Sequence, residues 1–222
     1  MLSLHAPAHM GHLDLLRRDA LLTTGDVDHA DWNYVPVLGA IQRVRFSLVA
    51  SLLPSHRVSS LVELGYGSGV FLPELARHCD TLYGIDVHPR NREVTGALAR
   101  QGVRAELHVA GAEALPFADH SMDLAVAVSS VEFFSNVEAA CHEVRRVLRR
   151  EGRFVVVTPG RSALVDMGMR ALTGKSARSD FGSGRERVLP ALRQHFTIER
   201  AIHFPPMRGR LLRLYDALRL AP

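Results

Sequence analysis

The residues best suited to chemistry are an acid and three alternate glycines, Glu63, Gly65, Gly67 and Gly69, at the end of an apolar stretch. Glycine adopts positive φ at no steric cost and lets a ligand approach main-chain N–H groups closely. Helical spacing resumes at Val70, so the free N–H groups and partial positive charge of a helix N-terminus follow the loop directly. The pattern predicts a loop that binds a carboxylate or a hydroxyl-rich ligand.

A second acid, Asp86, ends the next predicted strand, Thr81 to Asp86. The carboxyl ends of neighbouring strands in a doubly wound sheet face one crevice, so a carboxylate here can accept both hydrogen bonds of a ribose diol. The alternative role is a cap for the helix that begins near Pro89. We favour the ribose because the glycine loop lies upstream, and His88 could then sit beside the ribose or adenine.

The glycine spacing argues against a nicotinamide or flavin dinucleotide. The fingerprint G-x-G-x-x-G needs its third glycine at position 70, which is Val70. The arrangement E-x-G-x-G-x-G instead resembles the first motif of the class I S-adenosylmethionine-dependent methyltransferases. The loop alone would also fit a plain glycine turn or a variant nucleotide site, so the later segments decide.

The resemblance continues from about residue 58 to residue 160. The segment Ala110 to Asp119 resembles the third motif, although Gly111 stands where many relatives have an Asp that reaches the adenine amino group. Adenine recognition would then fall to backbone groups around Ala112 and Glu113, or to Glu113 itself. Further on, Glu143 and the run Arg146-Val-Leu-Arg-Arg-Glu-Gly152 resemble E-x-x-R-V-L-x-x-G-G, the sequence that ends the family's pattern. The role of this sequence is structural.

The predicted fourth strand, Met122 to Val128, leads to Ser129 and Glu132, where the family faces the transferable methyl group. Glu132 could orient or deprotonate an acceptor, although an outward, solvated Glu is the favoured reading. Methyltransferases of exocyclic base amines carry Pro-Pro-aromatic at the end of this strand. This chain has none there, so we expect no nucleic-acid partner.

The resemblance implies an α/β fold with a doubly wound, mostly parallel, Rossmann-like sheet, and an enzyme closest to the type-11 group that includes quinone-biosynthesis C-methyltransferases. It implies one domain, with residues 1–57 as an extension with a cap helix and residues 58–222 as the cofactor-binding part. The acceptor would be a small or lipid-like molecule. In-line alignment is the main requirement, so a catalytic base is not essential; Glu132 and Tyr34 are the candidates for one.

The implied cofactor is S-adenosylmethionine. Glu63 would reach its amino group, the glycine-loop N–H groups its carboxylate, and Asp86 its ribose. The residues expected to bind it are Glu63, Gly65, Gly67, Gly69, Asp86, Val87, Ala112, Glu113, Ser129 and Tyr34.

The flanks extend this domain. A short apolar-periodic piece, Leu13 to Leu22, predicts an N-terminal helix, and a clearer helix is predicted from Pro36 to Pro54. Just before the latter, Trp32 and Tyr34 could line the cofactor site, or Trp32 could anchor the N-terminal segment to the core.

The C-terminal flank predicts a helix at Ser162 to Leu172, then a loop at Gly174 to Gly184 that is either a lid or a surface loop. Apolar spacing predicts an atypical C-terminal helix, Arg208 to Leu220. Such a helix would complete the core, pair with another subunit in a homodimer, or lie on a membrane near a lipid substrate.

Composition indicates an ordinary globular protein, 47% hydrophobic and 23% charged, with no predicted transmembrane segment or signal peptide. The expected location is cytoplasmic, with Cys79 and Cys141 reduced and buried. No metal site is expected from His5, His9 and His12. The net charge of +4 comes from a basic C-terminal third, which we interpret as a solvated surface.

Two other functions remain open. One is a nicotinamide- or flavin-dependent oxidoreductase on the same sheet topology, which Val70 disfavours. The other is a non-catalytic S-adenosylmethionine-binding protein, weakly supported by the departures from the family pattern at Gly111 and Glu151. Turnover over a panel of acceptors would separate the second from an enzyme.

Overall fold

The fold is that of a computed structural model, which describes residues 13–25, 30–160, 184–206 and 213–222. The three N-terminal histidines, the predicted helix Ser162 to Leu172 and the loop beyond it lie outside the described residues. So does the first part of the predicted C-terminal helix.

One sheet contains all seven strands of the described residues. They are β1 Val58–Leu64, β2 Cys79–Asp86, β3 Glu106–Val109, β4 Met122–Val128, β5 Leu148–Pro159, β6 Thr197–Phe204 and β7 Tyr215–Ala221. Their order is β3-β2-β1-β4-β5-β7-β6, with β1 to β5 parallel and β7 antiparallel to both its neighbours. The predicted doubly wound, mostly parallel sheet is confirmed.

Helices cover both faces of the sheet. Those in the described residues are α1 Leu38–Ala50, α2 Leu72–Ala76, α3 Asn91–Arg100, α4 Val137–Val147 and α5 Gly184–His195, with 3₁₀ turns at Arg18–Ala20, Ala30–Tyr34 and Val131–Phe133. Apolar side chains of α1, α2 and α3 pack with Leu61 and Leu124 on one face. Those of α4 and α5 pack with Val62 and Ala125 on the other. Because α1 shares the core of the sheet, residues 38–50 are not a separate unit.

The strand order places a crevice beside β1. The chain winds outward from β1 to β2 and β3 on one side, and continues through β4 and β5 on the other. Ligands of such sheets bind outside the carboxyl ends of the strands where this reversal occurs. The glycine loop, which follows Leu64 at the end of β1, lies at this position.

The predicted C-terminal helix, Arg208 to Leu220, is wrong for residues 215–220, which belong to β7. Tyr215 and Leu218 occur at helical spacing, but β7 lies between β5 and β6 and is buried on both faces. A strand buried on both faces loses the alternation that marks a half-exposed strand, so its apolar run also fits a helix. The pairing of Leu218 with Val156 and Ala201, both distant in sequence, decides the outcome.

The predicted helix from Leu13 to Leu22 is also wrong. Residues 13–25 are irregular apart from the 3₁₀ turn Arg18–Ala20, and their main chain is hydrogen-bonded to the domain. The N–H of Asp14 donates to Oε2 of Glu74 at 2.8 Å, and that of Leu16 to the carbonyl of Val70 at 3.0 Å. Backbone groups satisfied in this way do not need a helix.

The predicted structural role of the Glu143–Arg146 ending is confirmed. The Arg146 guanidinium donates to both carboxylate oxygens of Glu143, to Asp119, and to the carbonyls of Leu115 and Phe117, all at 2.7 to 3.1 Å. Arginine suits this arrangement because its five N–H donors are fixed in one plane. One side chain therefore holds the segment between β3 and β4 against α4.

We expect Arg146→Met to lower the free energy of unfolding by about 2 kcal/mol, because it removes the guanidinium that donates to Glu143, to Asp119 and to two carbonyls. Urea unfolding would measure the loss. The matched control is Arg145→Met, which changes the adjacent, exposed arginine of the same helix. Equal effects of the two substitutions would show that the hydrogen bonds of Arg146 add nothing to the free energy of unfolding.

Candidate functional site

The glycine loop is built as its sequence predicts. Gly65, Gly67 and Gly69 have φ of 76°, 53° and 76°, in the left-handed region that favours glycine. At Gly65 a Cβ would lie 2.6 Å from the Cβ of Ser130, so the loop also passes closely against the residues that follow β4. The loop therefore lies between the carboxyl ends of β1 and β4.

Asp86 ends β2 directly beside this loop. Its Oδ2 accepts the N–H of Gly67 at 2.8 Å, and its Oδ1 accepts the N–H of His88 at 3.3 Å. Each carboxylate oxygen can accept a further bond, so the group is still able to bind a diol. The structure thus brings Asp86 and the glycine loop together. The hydrogen bonds of Asp86 hold this loop and do not cap the helix α3.

His88 fastens the loop from the other side. Its Nδ1 accepts the N–H of Arg90 at 3.1 Å, which leaves Nε2 to carry the proton that it shares with the carbonyl of Gly67 at 2.9 Å. The neutral ring with hydrogen on Nε2 is the form that satisfies both contacts. His88 therefore positions the loop, and its ring nitrogens are occupied within the protein.

Several buried polar atoms around the loop have no hydrogen-bond partner among the described residues. They are Oε2 of Glu63, the hydroxyl of Tyr66, Oγ of Ser68 and Oγ of Ser129. A buried polar group without a partner costs about 1 to 3 kcal/mol, so such a group calls for an explanation. Four of them around one glycine loop fit a polar ligand that completes their hydrogen bonds.

The electrostatics of Glu63 point the same way. Burial raises its pKa to about 8, and the negative charge of Asp86 adds to the rise while the positive charge of Arg45 opposes it. Burial and Asp86 raise the pKa of the Tyr66 hydroxyl as well. In the free protein at neutral pH, Glu63 is therefore mainly protonated, and a cationic ligand group would favour its ionised form.

The raised pKa of Glu63 predicts a pH-dependent gain in stability for Glu63→Gln. Between its ordinary value of 4.5 and about 8, Glu63 ionises in the unfolded chain only. Wild-type stability therefore falls with rising pH in this window, on the order of 1 kcal/mol per pH unit, whereas the variant does not titrate. Urea unfolding at pH 5 and pH 8 should show a growing advantage for the variant, and Glu93→Gln, at an exposed helix position, should show no such trend.

Two exposed valines lie on the β2–β3 side of the loop. Val87, which follows Asp86, is 75% exposed, and Val109 at the end of β3 is 51% exposed. Asp86 and Val109 are directly paired across the two strands, so both valines lie at one edge of the sheet. Exposed apolar side chains beside a carboxylate fit a flat aromatic ring such as adenine. Sequence reasoning identified Val87 and missed Val109.

Ala112 and Glu113 lie close to this region, but their side chains are committed elsewhere. Ala112 is buried in the core, so only its main chain can face a ligand. Oε1 of Glu113 accepts bonds from the hydroxyl of Ser135 and the N–H of Asn136. Burial alone would raise the pKa of Glu113, but these hydrogen bonds outweigh it and lower the pKa. Glu113 thus joins the segment after β3 to the start of α4.

The residues that follow β4 form the other side of the crevice. Ser129 has φ of 53°, which is uncommon outside glycine, and its N–H donates to the carbonyl of Val157 at 2.7 Å. Glu132 is only 3% exposed, and Thr158 donates to its Oε2 at 3.4 Å. The preferred reading of Glu132 as a solvated side chain is therefore wrong. The 3₁₀ turn Val131–Phe133, which carries Glu132, packs against α5.

Trp32 and Tyr34 belong to the 3₁₀ turn before α1. The hydroxyl of Tyr34 donates to the carbonyl of Leu16, and burial raises its pKa. That contact ties the turn to the N-terminal segment, so the phenol proton is directed to the main chain. The side chain of Tyr34 also packs against the main core. These contacts favour an anchoring role for Tyr34.

Sequence reasoning missed further polar residues near the carboxyl edge. Asp216 of β7 is 4% exposed, and its Oδ1 lies 2.5 Å from Nδ1 of His203 and 3.4 Å from Arg213. Arg45 lies on the side of α1 that carries buried Leu48 and Val49. A charged residue on an apolar helix face is the signal that could have identified Arg45 from the sequence. Asp216 could be identified only from the pairing of β7 in the sheet.

The described residues hold no group of three His, Cys, Asp or Glu arranged for a metal ion. Cys79 and Cys141 are both free and buried, and burial raises the pKa of each thiol, to about 11 and about 12. No helix within the described ranges is long and apolar enough to cross a membrane.

Known proteins resemble this chain in sequence and in fold. Residues 62–156 match the type-11 family described as a methyltransferase domain. An uncharacterised methyltransferase of Bacillus subtilis, YcgJ, is 34% identical over 104 residues, which are 46% of this chain and 40% of YcgJ. Sterol 4-C-methyltransferase strm-1 of Caenorhabditis elegans is 27% identical over 120 residues, 53% of this chain and 36% of that protein. The matches thus span less than half the length of these relatives.

Among solved structures, a geranyl diphosphate methyltransferase in complex with GPP and sinefungin superposes with a TM-score of 0.62 at 14% identity, covering 89% of this chain and 84% of that one. At this identity the likeness shows the fold. The sheet order, the glycine loop with its acid and the match over residues 62–156 all agree with a class I S-adenosylmethionine-dependent methyltransferase domain.

Proposed function

We propose that the protein transfers a methyl group from S-adenosylmethionine to a small or lipid-like acceptor. The observation that carries the proposal is the group of partnerless buried polar atoms around the glycine loop, next to Asp86. A polar ligand at this position would complete their hydrogen bonds. The family supplies the cofactor that has this polarity.

The residues present fit that cofactor. Asp86 would hold the ribose hydroxyls, Val87 and Val109 would contact the adenine faces, and Glu63 would bind the ammonium group of the methionine end. Ser129 at the end of β4 would contact the part of the cofactor nearest the acceptor. When bound, the cofactor supplies an activated methyl group on a sulfonium, so the protein's main task is to align the acceptor.

Two observations support an apolar acceptor. The relatives include one named for sterol 4-C-methylation and a structural neighbour solved with geranyl diphosphate. In this chain Val35 and Val37, just before α1, are exposed apolar side chains. Glu132 and Thr158 are the polar groups beyond Ser129 that could orient an acceptor hydroxyl or remove its proton.

Calorimetric titration with S-adenosylmethionine and, in parallel, NADH tests the cofactor. Micromolar binding of S-adenosylmethionine alone is expected, and binding of NADH alone would overturn the proposal. Transfer of a labelled methyl group to sterols, isoprenoid diphosphates and quinols then tests the reaction. Cofactor binding without transfer to any of them would favour a non-catalytic binding protein.

A further inference from the structure

The glycine loop leaves open what would bind the carboxylate of the cofactor. The sequence predicts that its N–H groups do so, but the three glycine N–H groups are already donated. Gly65 donates to the carbonyl of Ile85, Gly67 to Asp86 and Gly69 to the carbonyl of Tyr66, each at 2.8 Å. A carboxylate at this edge would therefore need a donor other than these three N–H groups.

Arg45 is directed at the sheet by the geometry of its helix. Residues three, four and seven positions apart share one face of an α-helix. Leu48, Val49 and Leu52 stand at these distances from Arg45 and are all buried against the sheet. Arg45 therefore points inward, one turn nearer the start of α1.

The height of Arg45 along the sheet follows from neighbouring contacts. At the C-terminal end of α1, Arg219 of β7 donates to the carbonyl of Leu52 at 3.5 Å. Arg45 lies about 10 Å from Leu52 toward the start of α1, at about 1.5 Å per residue. Tyr215 lies about 13 Å from Arg219 toward the start of β7. Arg45 accordingly lies near Tyr215, where its charge lowers the phenol pKa against the larger raising effect of burial. Tyr215 pairs with Pro159 at the carboxyl edge.

The local contacts of Arg45 leave it able to bind an anion. Its Nε is buried and has no hydrogen-bond partner among the described residues. Its guanidinium lies 4.8 Å from the centre of the Phe46 ring, which stacks at 4.5 Å on Phe71, the residue before α2. The cation thus lies beside the segment that follows the glycine loop.

Glu63 lies on the same face of the sheet, since it alternates with Val62 and Leu64, which face the opposite core. The two side chains do not form an ion pair within 4.0 Å in the described part of the chain, yet the charge of Arg45 reaches Glu63 and lowers its pKa. A cation and a carboxyl group placed near each other but not in contact match the two charges of a free amino acid.

We propose that Arg45 and Glu63 together bind the amino-acid end of the cofactor, with Arg45 receiving the α-carboxylate and Glu63 the α-ammonium group. The inference rests on the proposed function. It assigns to α1, outside the segment that matches the family, a direct part in cofactor recognition. Removing the carboxylate from the ligand should then abolish only the contribution of Arg45 to binding. Removing the ammonium group should abolish only that of Glu63.

Calorimetric titration of the full chain with S-adenosylmethionine and with its decarboxylated analogue tests this pairing. The wild type should bind the analogue about 10- to 100-fold more weakly, the loss of one or two charge-assisted hydrogen bonds. Arg45→Met, which keeps the apolar stem, should bind the two ligands about equally. Arg43→Met, at an exposed position of the same helix, should keep the wild-type preference.

Equal affinity of the wild type for the two ligands would overturn the inference and leave the proposed function intact. So would an unchanged preference in Arg45→Met. Failure of the wild type to bind S-adenosylmethionine at all would overturn both. If Arg45→Met does not fold, Arg45→Gln takes its place, and the wild-type comparison needs no variant.

Discussion

Replacing Asp86 by alanine should weaken the binding of S-adenosylmethionine by at least about 100-fold. The carboxylate is expected to accept two hydrogen bonds from the ribose, and bonds to a charged group contribute about 1.5 to 3 kcal/mol each. Asp86 also holds the N–H groups of Gly67 and His88, so its loss would free the loop that forms the rest of the site. Calorimetry on the purified variant would measure the effect.

The matched control is Asp80→Ala. Asp80 lies on the same strand but is exposed and paired with Arg57 on the surface. Its substitution should change affinity by less than twofold, since exposed ion pairs contribute about 0 to 1 kcal/mol to stability and Asp80 lies away from the crevice. An Asp86 variant that binds as tightly as the Asp80 variant would remove the ribose assignment.

Gly65→Ala should lower the free energy of unfolding by about 3 kcal/mol and reduce cofactor binding. The new Cβ would lie 2.6 Å from the Cβ of Ser130, so the end of β1 and the residues after β4 would have to separate. The left-handed φ of 76° adds about 1 kcal/mol of strain for any residue with a Cβ. Urea unfolding would measure the stability, and calorimetry the binding.

The clash can be separated from the strain by a second substitution. Ser130→Gly removes the atoms that the new methyl group would meet, at the cost of the bond from Ser130 to the carbonyl of Leu64. The double variant should therefore lose less stability than the sum of the two single variants, by about 1 to 2 kcal/mol. If the stability losses of the two single variants simply add, the loop must move so that the new methyl group does not contact Ser130.

Much of the site could be predicted because its signals are local. β4 has the predicted bounds, Met122–Val128, since a short apolar run bounded by turns defines a buried strand. The contact between Asp86 and the glycine loop follows from a parallel sheet alone, because β1 and β2 end at the same edge.

The remainder depends on contacts between residues distant in sequence. β7 has no local feature that distinguishes it from a helix, and only its pairing with β5 and β6 makes it a strand. The turn that carries Glu132 packs against a helix more than fifty residues later in the chain, α5. Arg45 acquires its surroundings from β1 and β7 together, which no window of sequence contains.

The position of β7 has a consequence for the order of assembly. β6 precedes β7 in the chain but does not pair with β5 in the sheet; β7 lies between them, with β5 on one side and β6 on the other. During synthesis, β6 would leave the ribosome before its partner strand and would stay unpaired until residues 215–221 have been synthesised. The strands β1 to β5 can pair earlier, so the cofactor loop can form before β6 and β7 join the sheet. A ribosome-bound chain stalled before residue 215 would therefore acquire a protease-resistant β1 to β5 unit while β6 stays open to cleavage.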